Sequence, residues 1–180
     1  MYENATDLAD LQVLLDRSSA GAGPHLASVF DEKRRLTAGQ LAERLTGMRL
    51  PTLATVTATG EPRTAPVDGL FYRGQFWFGS AENSIRFRHI RARPAVSATH
   101  LPGESMAVIV HGRCRLIDVN AEEMAGFRGY CLEVYGPAWR EWGATGQYAR
   151  IDAERMFTFA MPQEEIDAQK PSQPVATVVE

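Results

Sequence analysis

The chain has 180 residues, 44% of them apolar and 23% charged, with a formal net charge of -3 at neutral pH. That length suits one domain with a buried core, and the slightly acidic balance argues against a general nucleic-acid binder, which carries a strongly basic face. No apolar run approaches the roughly 18 residues that a membrane-spanning helix requires, and the acidic start MYENATDLADL lacks a secretory apolar core, so the cytoplasm is the expected compartment.

Leu8, Leu11, Leu14 and Leu15 recur at helical spacing before the breaker SSAGAGP (18–24). A short amphipathic piece is expected around 25–35. Thr37 is the N-cap candidate for AGQLAERLTG, with Leu41 and Leu45 on one face and Gly47 near the end. Residues 1–47 therefore read as a helical N-terminal extension lying outside the main fold.

From Pro51 the texture changes to strands, and the barrel domain is expected over 48–161. LATVTA (53–58) is rich in β-branched residues, and TGEP (59–62) is a turn. RTAPVDGLFY (63–72) reads as a second strand, in which Pro66 cannot donate to a ladder and so belongs at an edge or against a ligand. RG (73–74) turns into QFWFGS (75–80), and a helix follows over about 83–92, stopped by Pro94. AVSATH (95–100) and SMAVIVHG (105–112) are strands joined by LPGE, with Gly112 marking a bulge before RCRLIDV (113–119). AEEMAGFRGYCLEVYGP reads as a helix carrying Met124, Phe127, Cys131 and Val134, with Gly136 and Pro137 as its stop. RMFTFAM (155–161) is the last strand, and the polar tail beyond Pro162 is expected to be disordered. These elements predict a mainly β fold with helices, a small antiparallel barrel with helices packed at its ends.

Several chemistries find no motif. Cys114 and Cys131 have no metal-ligand spacing and are expected as reduced thiols in or near the core. His25, His89, His100 and His111 read as structural or exposed, and no third ligand supports zinc. Neither GxSxG nor GxxxxGK[ST] occurs.

The segment FGSAENSIRFRHIRARP (78–94) is the exception. Arginines on a short surface helix are ordinarily just solvated. Here, however, Gly79 ends a strand, Ser80 and Ser84 offer hydroxyls, and the first amides of the following helix lack intrahelical partners. Arg86, in the first turn, can make a bidentate contact to a phosphate. Hydroxyls, helix-start amides and one guanidinium together suit a single phosphate group.

The order LATVTATGEPRTAPV…FYRGQFWFGSAENSIRFRHIRARPAVSATH…AVIVHGRCRLI resembles the pyridoxamine 5'-phosphate oxidase-like proteins, the FMN-binding split β-barrels, over roughly residues 45–160. Three linked features carry the likeness: the strand pair ending in Ala65-Pro66-Val67, the Gly79-Ser80…Ser84-Ile85-Arg86 segment, and the helix closed by Arg-x-Arg-Pro. The resemblance implies a split antiparallel β-barrel holding FMN at the interface of a homodimer. It places Ser80, Ser84 and Arg86 on the phosphate, and Arg63, Thr64, Ala65, Pro66 and Val67 along the isoalloxazine ring. Family members often carry lysine at the position of Arg86 and arginine at that of Ile85. Trp139 and Trp142 either pack beneath a loop or line the partner subunit's flavin pocket.

The activity implied is that of an FMN-dependent oxidoreductase passing hydride to or from a small substrate. The alternatives on the same fold are a reductase using the deazaflavin coenzyme F420 and a non-catalytic flavin- or haem-binding protein. True pyridoxamine phosphate oxidases grip the substrate phosphate with basic residues near the C-terminus. This chain offers Arg150 and Arg155 there and then an acidic tail, with no convincing second phosphate site, so vitamin B6 oxidation is less expected than the family name suggests.

Overall fold

Strand alternation builds one sheet. In the structure, a computed structural model that describes residues 2–169, all eight strands pair antiparallel. They are β1 (Met48–Arg49), β2 (Thr52–Val56), β3 (Pro62–Pro66), β4 (Gly69–Tyr72), β5 (Gln75–Ser80), β6 (Ala95–Gly103), β7 (Met106–Ile117) and β8 (Gln147–Ala160). Their order is β1-β4-β5-β8-β7-β6-β2-β3, which curls into the split barrel that the sequence implies. Among the described residues seven α-helices surround it: α1 (Ala5–Ala20), α2 (Pro24–Val29), α3 (Ala38–Arg44), α4 (Ile85–Ala92), α5 (Ala125–Tyr135), α6 (Trp139–Trp142) and α7 (Gln163–Gln169). Among the described residues no helix is long and apolar enough to cross a membrane.

Every second residue of β7 points inward, so Met106, Val108, Val110 and Cys114 are buried along one face. They meet Leu53, Phe71, Phe76, Phe78, Phe87 and Met156 in the barrel core. A second core lies outside the barrel, where Leu70, Tyr72 and Trp77 pack against Phe127, Tyr130, Cys131, Trp139 and Tyr148. Both cysteines are buried and free, and burial pushes each thiol up to about 12, so neither is a thiolate at neutral pH. The register shift at Gly112 is the expected bulge, and a Cβ there would collide with the Asp152 carbonyl oxygen.

Five expectations need correction. The stretch 63–72 is two strands: β3 closes one end of the sheet, while β4 lies next to the other end. The Val67 amide turns to the Pro51 carbonyl at 3.0 Å, and Asp68 carries the crossing. β7 runs unbroken through its bulge, and β8 begins at Gln147, eight residues before the predicted start.

The helical extension is no appendage. Leu11, Leu15, Leu36, Leu41 and Leu45 belong to the barrel core. β5 covers β8 only from Gln147 to Arg150, which leaves the rest of that edge without a strand. The end of α1 covers it: Ser18 Oγ accepts the Met156 amide at 2.9 Å, and Arg17 donates to the Glu154 carbonyl at 3.2 Å. Thr158 Oγ1 likewise accepts the Leu36 amide at 2.9 Å. Thr37 caps α3 as expected, in a reciprocal box with Gln40.

The tail, finally, begins as α7, tied back by an Arg34–Glu165 ion pair at 2.9 Å. The expectation of disorder for residues 170–180 lies outside the described residues.

His100 is buried on β6, and its Nδ1 has no hydrogen-bond partner. Burial lowers its pKa below the ordinary histidine value, a hydrogen bond to the Leu50 backbone opposes this, and the Arg49 charge lowers it further. The fold therefore holds a neutral ring while the unfolded chain protonates near pH 6.5. Stability should then fall as pH drops below about 6.5, down to the folded-state value. Urea midpoints between about pH 7 and pH 5 check this, and His100→Gln should show a shallower decline.

Candidate functional site

β5 ends at Gly79-Ser80 and the chain turns directly into α4. Phe87, fully buried, stacks on Phe78 with ring centroids 5.9 Å apart and planes 12° apart. This contact fixes the helix start against the strand end. Ser84 is the N-cap, its hydroxyl accepting the Phe87 amide at 3.5 Å. By helix geometry the amides of Ile85 and Arg86 have no intrahelical acceptor, and they project from the positive end of the helix dipole.

Arg86 donates to the Pro66 carbonyl at 3.1 Å, tying α4 to the edge strand β3. Burial lowers its pKa and the nearby Asp68 carboxylate opposes that, so the guanidinium stays charged. Of its five N–H donors, one is engaged by Pro66. Arg91 is committed elsewhere, at 3.0 Å to the Glu82 carbonyl and 3.5 Å to its carboxylate. Arg88 is exposed on another side of the helix.

Between β3 and α4 lies a cavity of about 430 Å³. Arg63, Thr64 and Ala65 form one wall, and Ser80, Ser84, Ile85 and Arg86 form the other. Of the twelve residues singled out from sequence, these seven meet here. Pro66 takes part through its carbonyl, while Val67 is buried and does not line this cavity. The sequence reading missed the floor, Leu53, Thr55 and His89. His89 bonds Thr55 through Nδ1 at 3.0 Å. Its spacing of three from Arg86 on one helix was the available signal.

A second cavity of about 420 Å³ lies between β5 and the α5–α6 corner, and Ser80 lines both. Gly79 and Trp142 belong to this second one. A Cβ on Gly79 would stand 2.8 Å from Tyr148 Cε1, so the ring's close approach requires glycine. Trp139 lines neither cavity; it is buried, donating its indole N–H to the Tyr148 hydroxyl at 3.0 Å. Among the described residues no group of three His, Cys, Asp or Glu is gathered to hold a metal.

The sequence pattern of the pyridoxamine 5'-phosphate oxidase family matches residues 37–161. Solved structures share the architecture. The conserved hypothetical protein Rv2991 from Mycobacterium tuberculosis superposes with a TM-score of 0.64 at 17% identity, over 82% of this chain and 98% of that one. HutZ, the haem storage protein from Vibrio cholerae, gives 0.57 at 14% identity, over 70% and 94%. An FAD-binding protein from Mesorhizobium loti gives 0.55 at 22% identity, over 69% and 93%. Identities this low carry the fold alone. No curated protein matches the sequence.

Proposed function

As the chain belongs to the pyridoxamine 5'-phosphate oxidase family, we propose that it binds FMN between β3 and α4 and acts as a flavin-dependent oxidoreductase. One observation carries this reading. Ser80, Ser84 and Arg86 line one cavity beside the start of α4, so two hydroxyls, the free helix-start amides and the uncommitted donors of Arg86 are offered to the same space. That donor set suits a phosphate monoester. The residues fit the group.

When bound, FMN supplies hydride transfer to or from a substrate carbon. The rest falls to the chain. Arg86 and the α4 amides hold the phosphate and balance its charge. Among the described residues β3 pairs only with β2, so its other edge presents backbone groups along the cavity to a flat heterocycle. Leu53 and Ala65 keep water from that face. Ile85 is 60% exposed at the mouth, and the open β3 edge leaves one side without a wall. A second copy of the chain is the cover we propose for it. Arg150 is held by Asp152 at 2.6 Å and lies over the Trp77 ring. It lines neither cavity, which favours a substrate without a phosphate of its own.

The test is a titration of the purified protein, followed by visible absorption, with FMN and with riboflavin, which lacks the phosphate. FMN is expected to bind about 100-fold more tightly, the worth of two or so charge-assisted hydrogen bonds. Equal affinity for the two would sink the phosphate socket. Binding of the deazaflavin coenzyme or of haem in place of FMN would leave the fold standing and overturn the cofactor.

A further inference from the structure

The second cavity has walls of a different chemistry. Trp77, Phe127 and Tyr148 form a buried floor, and Tyr135 and Trp142 stand at its mouth. The rings interlock: Trp77 stacks on Phe127 at 4.6 Å, Phe127 meets Tyr148 edge-on at 5.9 Å, and Tyr135 meets Trp142 edge-on at 5.5 Å. Trp142 nonetheless leaves 52% of its surface exposed.

Charge at this cavity has one sign. Asp68 and Glu82 line it, and no lysine, arginine or histidine does. Glu82 is paired with Arg91, whereas Asp68 has no ion-pair partner among the described residues. Arg86 acts on Asp68 only through space, and Arg150, 5.5 Å from the Trp77 ring centre, does not line the cavity. Aromatic faces carry partial negative charge and attract cations, most strongly where water is excluded. An anion placed here would meet ring faces and two carboxylates.

We propose that this cavity binds a flat aromatic molecule bearing a positive charge, such as an arylalkylamine. The rings take the aromatic part and Asp68 takes the cation. A volume of about 420 Å³ matches a small ligand of that kind. Binding here needs no flavin. Ser80 lines both cavities, which sets this site beside the proposed flavin site.

Three probes share one ring and differ in charge: tryptamine, 3-methylindole and indole-3-acetate. Calorimetric titration of the cofactor-free protein should show tryptamine binding about tenfold more tightly than indole-3-acetate, with 3-methylindole between them. Asp68→Asn should compress that ratio to within about threefold, and Trp142→Ala should weaken all three by about tenfold. Asp68 and Trp142 are both exposed, so the variants keep the fold, which circular dichroism verifies. No saturable tryptamine binding up to roughly 5 mM, a weak limit for so small a ligand, overturns the proposal. So does equal affinity for amine and acid, or wild-type binding in both variants. The tryptamine titration contains no flavin, so this site and the flavin site fail separately.

Discussion

Exchange of Arg86 for alanine is expected to weaken FMN binding about 100-fold while riboflavin binding stays within about twofold of the parent protein. Hydrogen bonds between a guanidinium and a phosphate are worth about 1.5–3 kcal/mol each, and partial exposure of this side chain reduces two of them to about 3 kcal/mol together. The loss concentrates on one residue because the neighbouring position gives no help. Ile85 supplies its amide but no charge, and the other arginines of the helix point elsewhere or are paired. The substitution also removes the bond to the Pro66 carbonyl, a partly exposed contact of little weight for folding. Arg86→Lys should recover part of the affinity, since lysine restores the charge without the planar fork. Parallel fluorescence titrations of the three proteins with both ligands decide the matter. An equal loss for riboflavin and FMN would mean that the arginine shapes the cavity instead of holding the phosphate.

The second large effect is on stability. Phe87→Ala should cost about 3–5 kcal/mol, the range for removing a fully buried aromatic ring. In a domain of this size that corresponds to a melting temperature lower by roughly 10 °C. The ring is fully buried in the barrel core and stacks on Phe78, and the amide of the same residue donates to the capping hydroxyl of Ser84. Its loss therefore loosens the helix start that presents the free amides. Saturating FMN should restore part of the melting temperature, because a ligand that binds only the folded state stabilises it by mass action. Phe87→Leu fills most of the volume and should cost less than half as much as alanine. Thermal unfolding with and without FMN checks all of this. A drop of only about 2 °C for Phe87→Ala would show that the core collapses into the gap.

The sequence made the local parts of this picture readable. Thr37 with Gln40, the turn at Thr59-Gly60, the Gly112 bulge and the helix after Ser84 each rest on neighbours within a few residues, where capping and turn chemistry act. Hydrophobic alternation was enough for β2, β5 and most of β7. It failed where tertiary partners set the pattern. The first half of β8 runs Gln147, Tyr148, Ala149, Arg150, Ile151, Asp152, and its neighbours Tyr148 and Ala149 are both buried because opposite faces of the strand meet different cores. Such a strand shows no clean period of two. The break at Val67-Asp68 did carry a local signal, the turn pair Asp68-Gly69, which the apolar residues on either side of it outweighed.

In the site, the segment from Ser80 to Arg86 was visible as a helix start after a strand. The second cavity was not, since its rings come from β5, α5, α6 and β8, and no local pattern connects Trp77, Phe127, Trp142 and Tyr148.

The covering of β8 by α1 bears on where the molecule can be cut. The family pattern begins at residue 37, yet Leu11, Leu15 and Leu36 of the barrel core and the side chains that satisfy Glu154 and Met156 lie before it. A fragment trimmed to the shared segment would open an apolar seam and a row of unpaired amides along its longest strand, the kind of edge that recruits other chains. For this protein the inherited segment is smaller than the autonomous folding unit, and the boundary of a stable fragment lies ahead of α1.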